Sequence, residues 1–155
     1  MKKSRLDSVA CMWISFGLIV VAVLMMFVPL YTIEGQVLSA TVNGGFFGNY
    51  SHDGAWPAFL GYMLILGGGL MTAVLAMPFV QPSYFVEKLI LIFASALEFI
   101  GVALVVTVVV WYCLINGQPE LITHSGYALH AGGYITAVFT VLAIFYNVKA
   151  IVIDK

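Results

Sequence analysis

Hydrophobic residues in this chain gather into four long runs, broken by short stretches where polar residues, glycine and proline collect: Val9–Leu30, Pro57–Met77, Leu89–Val110 and Tyr127–Val148. Each run is close to the ~20 residues that carry an α-helix across ~30 Å of hydrocarbon. The prolines punctuate the same pattern. Pro29 closes the first run and Pro57 opens the second, where a missing N–H costs nothing. Pro78 and Pro82 follow the second run, Pro119 lies between the third and fourth, and none interrupts a run. The pattern predicts an all-α integral membrane protein, a four-transmembrane-helix bundle in a single membrane domain spanning 1–155.

Composition strengthens that reading. Hydrophobic residues make up 63% of the chain and charged residues 8%, where a soluble domain carries about 25% charged residues. So few charges cannot cover a water-facing surface, and the bilayer is the expected solvent. Lys2, Lys3 and Arg5 precede the first run, but that run is too long for a signal-peptide core, and a retained span is expected. A net charge of −1 without a basic patch argues against nucleic acid.

All six basic residues, Lys2, Lys3, Arg5, Lys88, Lys149 and Lys155, fall on one side of the predicted spans. The positive-inside rule then places both termini in the cytoplasm of a plasma-membrane protein. The outer loops become 31–56 and 111–126. Aromatic residues mark both boundaries, with Tyr31, Trp56, Trp111, Tyr112 and Tyr127 outside and Trp13, Phe79, Tyr84, Phe85 and Tyr146 inside. Cys11 and Cys113 fall at opposite faces in this topology, so no disulfide is expected within the chain.

The first outer loop is unusually apolar. Asn43-Gly44 separates two β-prone stretches, which predicts a small β-hairpin resting on the outer ends of the helices. Asn49-Tyr50-Ser51 fits a glycosylation sequon. Four spans with a β-prone first outer loop resemble the claudin-like tetraspans in topology. The resemblance ends there, because this loop holds neither the Gly-Leu-Trp nor the two cysteines of those proteins.

A motif recurs where the chain re-enters the membrane. SHDGAWPAFLGYM and THSGYALHAGGYI share His52, Gly54, Gly61 and Tyr62 with His124, Gly126, Gly133 and Tyr134 at one constant offset. The recurrence suggests a tandem repeat of helical hairpins, 1–80 and 81–155, related by an axis along the membrane normal. Its structural reading is a helix start: Ser51 or Asp53, and Thr123 or Ser125, cap the next helix, and the inner glycine admits a neighbour. The tyrosine then lies a turn or two inside, where its hydroxyl meets a partner. His130 follows one or two turns into the fourth span. The histidine spacing matches no metal-ligand pattern, so no metal or other cofactor is expected; His52, His124 and His130 are the groups a zinc ion or an acid-sensing site would use.

Glu98 interrupts the third run near its middle, ~14 Å beyond Leu89. A carboxylate at bilayer centre costs about 2.5–3.5 kcal/mol on the insertion scale. Each surrounding Leu, Ile, Val or Phe returns about 0.3–0.6 kcal/mol, so the span still inserts. Ala94 at i−4 and Gly101 at i+3 share its face, and small residues mark helix contacts in membranes. The face Ala94–Glu98–Gly101 is therefore expected to pack on the glycine run Gly67-Gly68-Gly69, with Thr72, Ser15 and Thr140 as hydrogen-bond partners. No Lys, Arg or His is expected at this depth. Three roles are open: a neutral acid bonded between helices, a contact to a basic residue of a partner, or a proton- or cation-coupling site.

The chain shows no nucleotide loop, no nucleophile–base set and no CxxC, and no enzymatic activity is expected. A non-catalytic subunit or scaffold, associating with other membrane proteins or with itself, is the leading expectation. A small oligomeric ion- or proton-coupled transporter built on Glu98 is the alternative. Small multidrug exporters carry their glutamate in the first span and rotor proteolipids carry their acid in the fourth, so Glu98 in the third matches neither.

Overall fold

The computed structural model describes residues 2–33, 36–38, 56–80, 82–123, 126 and 128–153. The Asn43-Gly44 turn, the Asn49 sequon, Ser51, His52, Asp53, Gly54, His124, Ser125, Tyr127 and Lys155 lie outside the described residues. Four helices are long and apolar enough to cross a membrane, and they form a helical bundle. They are α1 (Lys2–Leu24), extended by a 3-10 turn at Met25–Phe27, then α2 (Trp56–Ala76), α3 (Tyr84–Val106) and α5 (Ala131–Ile153). Around the bundle α1 touches α2, α2 touches α3, α3 touches α5 and α5 closes back on α1.

Three of the helix ends that differ from the sequence expectation have a clear physical reason. α1 starts at Lys2 rather than Val9, because Lys, Ser and Leu before the apolar run are all compatible with a helix. The third span continues past Val110. A break at Thr107 separates α3 from α4 (Val108–Ile115), and the Thr107 hydroxyl donates to the Ala103 carbonyl at 2.5 Å, the back-bonding that bends helices. α4 then stops at a Schellman turn, with Gln118 N–H on Cys113 O at 2.8 Å and Gly117 N–H on Leu114 O at 3.2 Å. Gly117 takes the left-handed φ of 68° that this ending requires.

The fourth helix begins at Ala131 rather than Tyr127, because the residues before it are claimed by a small sheet. Strand β1 (Tyr31–Ile33) pairs antiparallel with β2 (Gln36–Leu38) on one side and with β3 (Ala128–Leu129) on the other. Tyr31 stands opposite both Leu38 and Leu129. The sheet thus joins the end of α1 to the start of α5. Gly132 N–H donates to Pro29 O at 3.1 Å, and a Cβ on Gly132 would sit 2.7 Å from that same oxygen.

The faces turned away from the bundle are apolar, with Leu89, Ile92, Phe93 and Phe99 on α3 and Val138, Val141 and Phe145 on α5 all exposed. Such faces suit hydrocarbon. Inside, the glycine run of α2 divides its work. Gly68 meets α3, Gly69 meets Ile19 of α1, and a Cβ on Gly67 would meet nothing within 4 Å. Gly67→Ala is therefore expected to leave thermal stability in detergent unchanged or slightly raised, since alanine is the better helix former. Gly68→Ala is expected to lower it. Equal unfolding midpoints for the two variants would contradict this division.

Candidate functional site

The polar interior is built around Glu98 on α3, which is fully buried. α2 lies against it so closely that a Cβ on Gly68 would be 2.8 Å from Glu98 Cγ and 2.7 Å from Ala94 O. One to two turns along the same seam, a Cβ on Gly101 would lie 2.5 Å from Gly61 O, and one on Gly61 would lie 2.5 Å from Gly101 O. Gly61, Gly68, Ala94 and Gly101 thus bring two helix backbones into contact, the geometry small residues allow in membrane helices.

α5 supplies the partner of the carboxylate. Asn147 Nδ2 donates to both carboxylate oxygens, to Oε1 at 3.3 Å and Oε2 at 3.2 Å. The Thr72 hydroxyl lies 3.5 Å from Asn147 Oδ1 and 3.2 Å from Gly68 O, so its single proton has two acceptors. Glu98, Asn147, Thr72 and Gly68 O form one network across three helices, and the three side chains are fully buried. An ordinary intramolecular hydrogen bond contributes about 0.5–1.5 kcal/mol net.

Of the three partners expected for Glu98, namely Thr72, Ser15 and Thr140, only Thr72 reaches it, and only through Asn147. Ser15 instead donates to Ala143 O at 3.0 Å, and Thr140 Oγ1 is buried without a hydrogen-bond partner among the described residues. Asn147 escapes a reading of the sequence because a fourth span ending at Val148 puts the amide at the boundary. The helix runs on to Ile153, so Asn147 stands inside it. A lone amide in an apolar run is the signal that could have found it. The same extension corrects the expectation that no cation shares this depth. Lys149 lies two residues past Asn147, exposed on the opposite side of α5, with its Nζ 5.8 Å from the Tyr146 ring. Glu98 is completely buried within this chain, and both its oxygens face Asn147.

The repeated motif does not give two equivalent environments. Tyr62 is fully buried and its hydroxyl pairs with Thr136 Oγ1 at 2.9 Å, whereas Tyr134 is 60% exposed. Gly61 faces α3, whereas Gly133 packs on Leu129 of its own segment. Thr123 lies in a 3-10 turn at Pro119–Thr123, well before α5, and does not cap it. Gly126 is half-buried between that turn and β3.

His130 precedes α5 rather than lying within it. Its backbone N–H donates to Leu30 O at 2.8 Å and its ring Nε2 bonds Thr32 Oγ1. It therefore ties β1 to the start of α5. Among the described residues no three His, Cys, Asp or Glu side chains come together as a metal cluster. Beside this link Tyr31 is fully buried, and its hydroxyl has no hydrogen-bond partner among the described residues. Burial, with Tyr112 nearby, pushes its pKa above the usual tyrosine value.

Comparison of the chain with protein families, with characterised proteins and with solved structures gives no match. The functional reading therefore rests on the geometry of the bundle.

Proposed function

We propose that this chain is a non-catalytic subunit or scaffold of a membrane assembly, seated in the plasma membrane with both termini in the cytoplasm. The enclosure of Glu98 carries the reading. A carboxylate that couples transport must meet water or substrate in some state. Here Gly68 closes one side of it, Asn147 takes both oxygens, and the Gly61–Gly101 contact brings the adjoining helices together at the backbone. The interior polar groups thus serve to hold α2, α3 and α5 together. What remains for recognition is the exterior: the apolar faces of α3 and α5 and the end of the bundle that carries the sheet. The one-sided distribution of the six basic residues supports the orientation.

Extraction in a mild detergent followed by cross-linking tests the proposal. The chain is expected to emerge in a fixed ratio with a second membrane protein or with further copies of itself. A monomer free of partners under those conditions speaks against it. So does ion flux through liposomes holding only this chain, if Glu98→Gln abolishes that flux; the transporter alternative would then take its place.

A further inference from the structure

We propose that this chain pairs with a second copy of itself across the face formed by α2 and α3, each copy seating Phe93 in an apolar groove of the other. The inference rests on the subunit reading and deepens it by naming the partner.

The groove lies between the two helices, at the end of the bundle where their connection runs. Leu70, Met71, Val74 and Leu75 of α2 and Ile90 of α3 line it, and Pro82 closes it. It measures about 340 Å³ and is walled by apolar atoms alone. Gly67, Met71 and Val74 stand at i, i+4 and i+7, on one face of α2. That face looks away from the bundle, because a Cβ on Gly67 would meet nothing within 4 Å and Val74 is exposed. No contact inside the chain requires glycine at this position, unlike Gly68 and Gly69. An outward glycine in a membrane helix admits a close neighbour from outside.

The knob stands beside the hole. Val86, Ile90, Phe93 and Leu97 fall at i, i+4, i+7 and i+11 on α3, so Phe93 adjoins the groove wall at Ile90. Phe93 is 55% exposed. The seam between the helices sets its depth. Gly68 lies against Ala94 and Glu98, and α2 and α3 run antiparallel. Met71, three residues further along α2, therefore comes to the level of Phe93.

Hole and knob thus share one depth on neighbouring helices, whose axes lie about 8–10 Å apart when packed. Rotation about a two-fold axis along the membrane normal preserves depth. An axis passing between α2 and α3 carries Phe93 of each copy onto the groove of the other. The contact is then self-complementary, and it closes at two copies. A ring seated in the groove gains packing and releases the lipid chains that would otherwise be ordered there, the terms that drive helix association in membranes.

Energy transfer in liposomes tests the pairing. Full chains fused at the N-terminus to a donor or an acceptor fluorescent protein are reconstituted together in phosphatidylcholine and diluted with further lipid. Wild type is expected to follow a monomer–dimer curve. Phe93→Ala removes the knob and Gly67→Leu fills the hole. Each is expected to weaken pairing by about tenfold or more, with monodisperse elution in detergent showing that the variant is folded. Phe145→Ala, on the exposed face of α5, is expected to leave transfer unchanged. Wild-type transfer no greater than that between non-interacting membrane proteins at the same density overturns the proposal and leaves hydrocarbon as what fills the groove. Transfer undiminished in either groove variant overturns it as well, since the copies then meet elsewhere. A different membrane protein retained in fixed ratio on extraction would keep the subunit reading standing in both cases. A wild-type chain that neither pairs nor retains a partner would end both.

Discussion

Gly101→Val is expected to prevent recovery of folded chain from the membrane, a larger effect than that of Gly68→Ala on the same seam. Its Cβ would fall 2.5 Å from Gly61 O, 2.7 Å from Ile65 Cγ1 and 3.1 Å from the Ile65 backbone nitrogen. Two of these three are backbone atoms of the neighbouring helix, so no side-chain rotation relieves the clash. α2 and α3 must separate. Overpacking alone costs about 1–3 kcal/mol and sometimes more. Here separation also opens the Gly68–Glu98 contact further along the same seam, so a loss at or above the upper end is expected. Against a stability of about 5–15 kcal/mol that is a large share. Yield of monodisperse protein in detergent and the unfolding midpoint both read the effect. A midpoint within about a degree of wild type would show that the backbone contact is not essential.

Asn147→Leu is expected to have the second largest effect, and its logic is electrostatic. The substitution is close in volume but leaves the Glu98 carboxylate buried with no side-chain donor. Leaving a buried polar group without its hydrogen-bond partner costs about 1–3 kcal/mol. Replacing both partners is expected to recover much of that loss, because leucine at both positions leaves no unsatisfied group. Glu98→Leu combined with Asn147→Leu should therefore unfold at a higher temperature than Asn147→Leu alone. The two effects would then be far from additive, as residues of one network should be. A single variant as stable as wild type, or a double variant less stable than the single, would mean that Asn147 does not support Glu98.

Much of the architecture is legible in the sequence because it depends on local composition. Four runs of apolar residues long enough to cross a bilayer, with proline only at their ends or between them, correspond to four helices of membrane-spanning length. The face that Glu98 presents can also be read locally, since Ala94 and Gly101 occupy the positions one turn either side of it. The glycines of α2 are visible as small residues, but not which neighbour each one meets. Gly67, Gly68 and Gly69 are identical in sequence and differ only in the direction that the helix turns them.

The partner of Glu98 is not legible, and the reason is register. Asn147 meets it because α5 starts late, at Ala131, and ends late, at Ile153. At its start, the pairing of β3 with β1 keeps the preceding residues out of the helix. Strands of two or three residues leave no periodic signal, and their pairing partner lies a whole hairpin away in the chain. The recurrence of Gly-Tyr likewise suggests two equal sites, yet Tyr62 turns inward to Thr136 and Tyr134 turns outward.

The order of residues alone determined that this chain makes four helices that prefer hydrocarbon to water, because helix length and transfer energy are sums over neighbouring residues. Only the tertiary structure decided that a glutamate on the third span and an asparagine on the last would stand together against a glycine on the second. That meeting depends on where each helix begins and how far it is turned, and contacts distant in the chain set both.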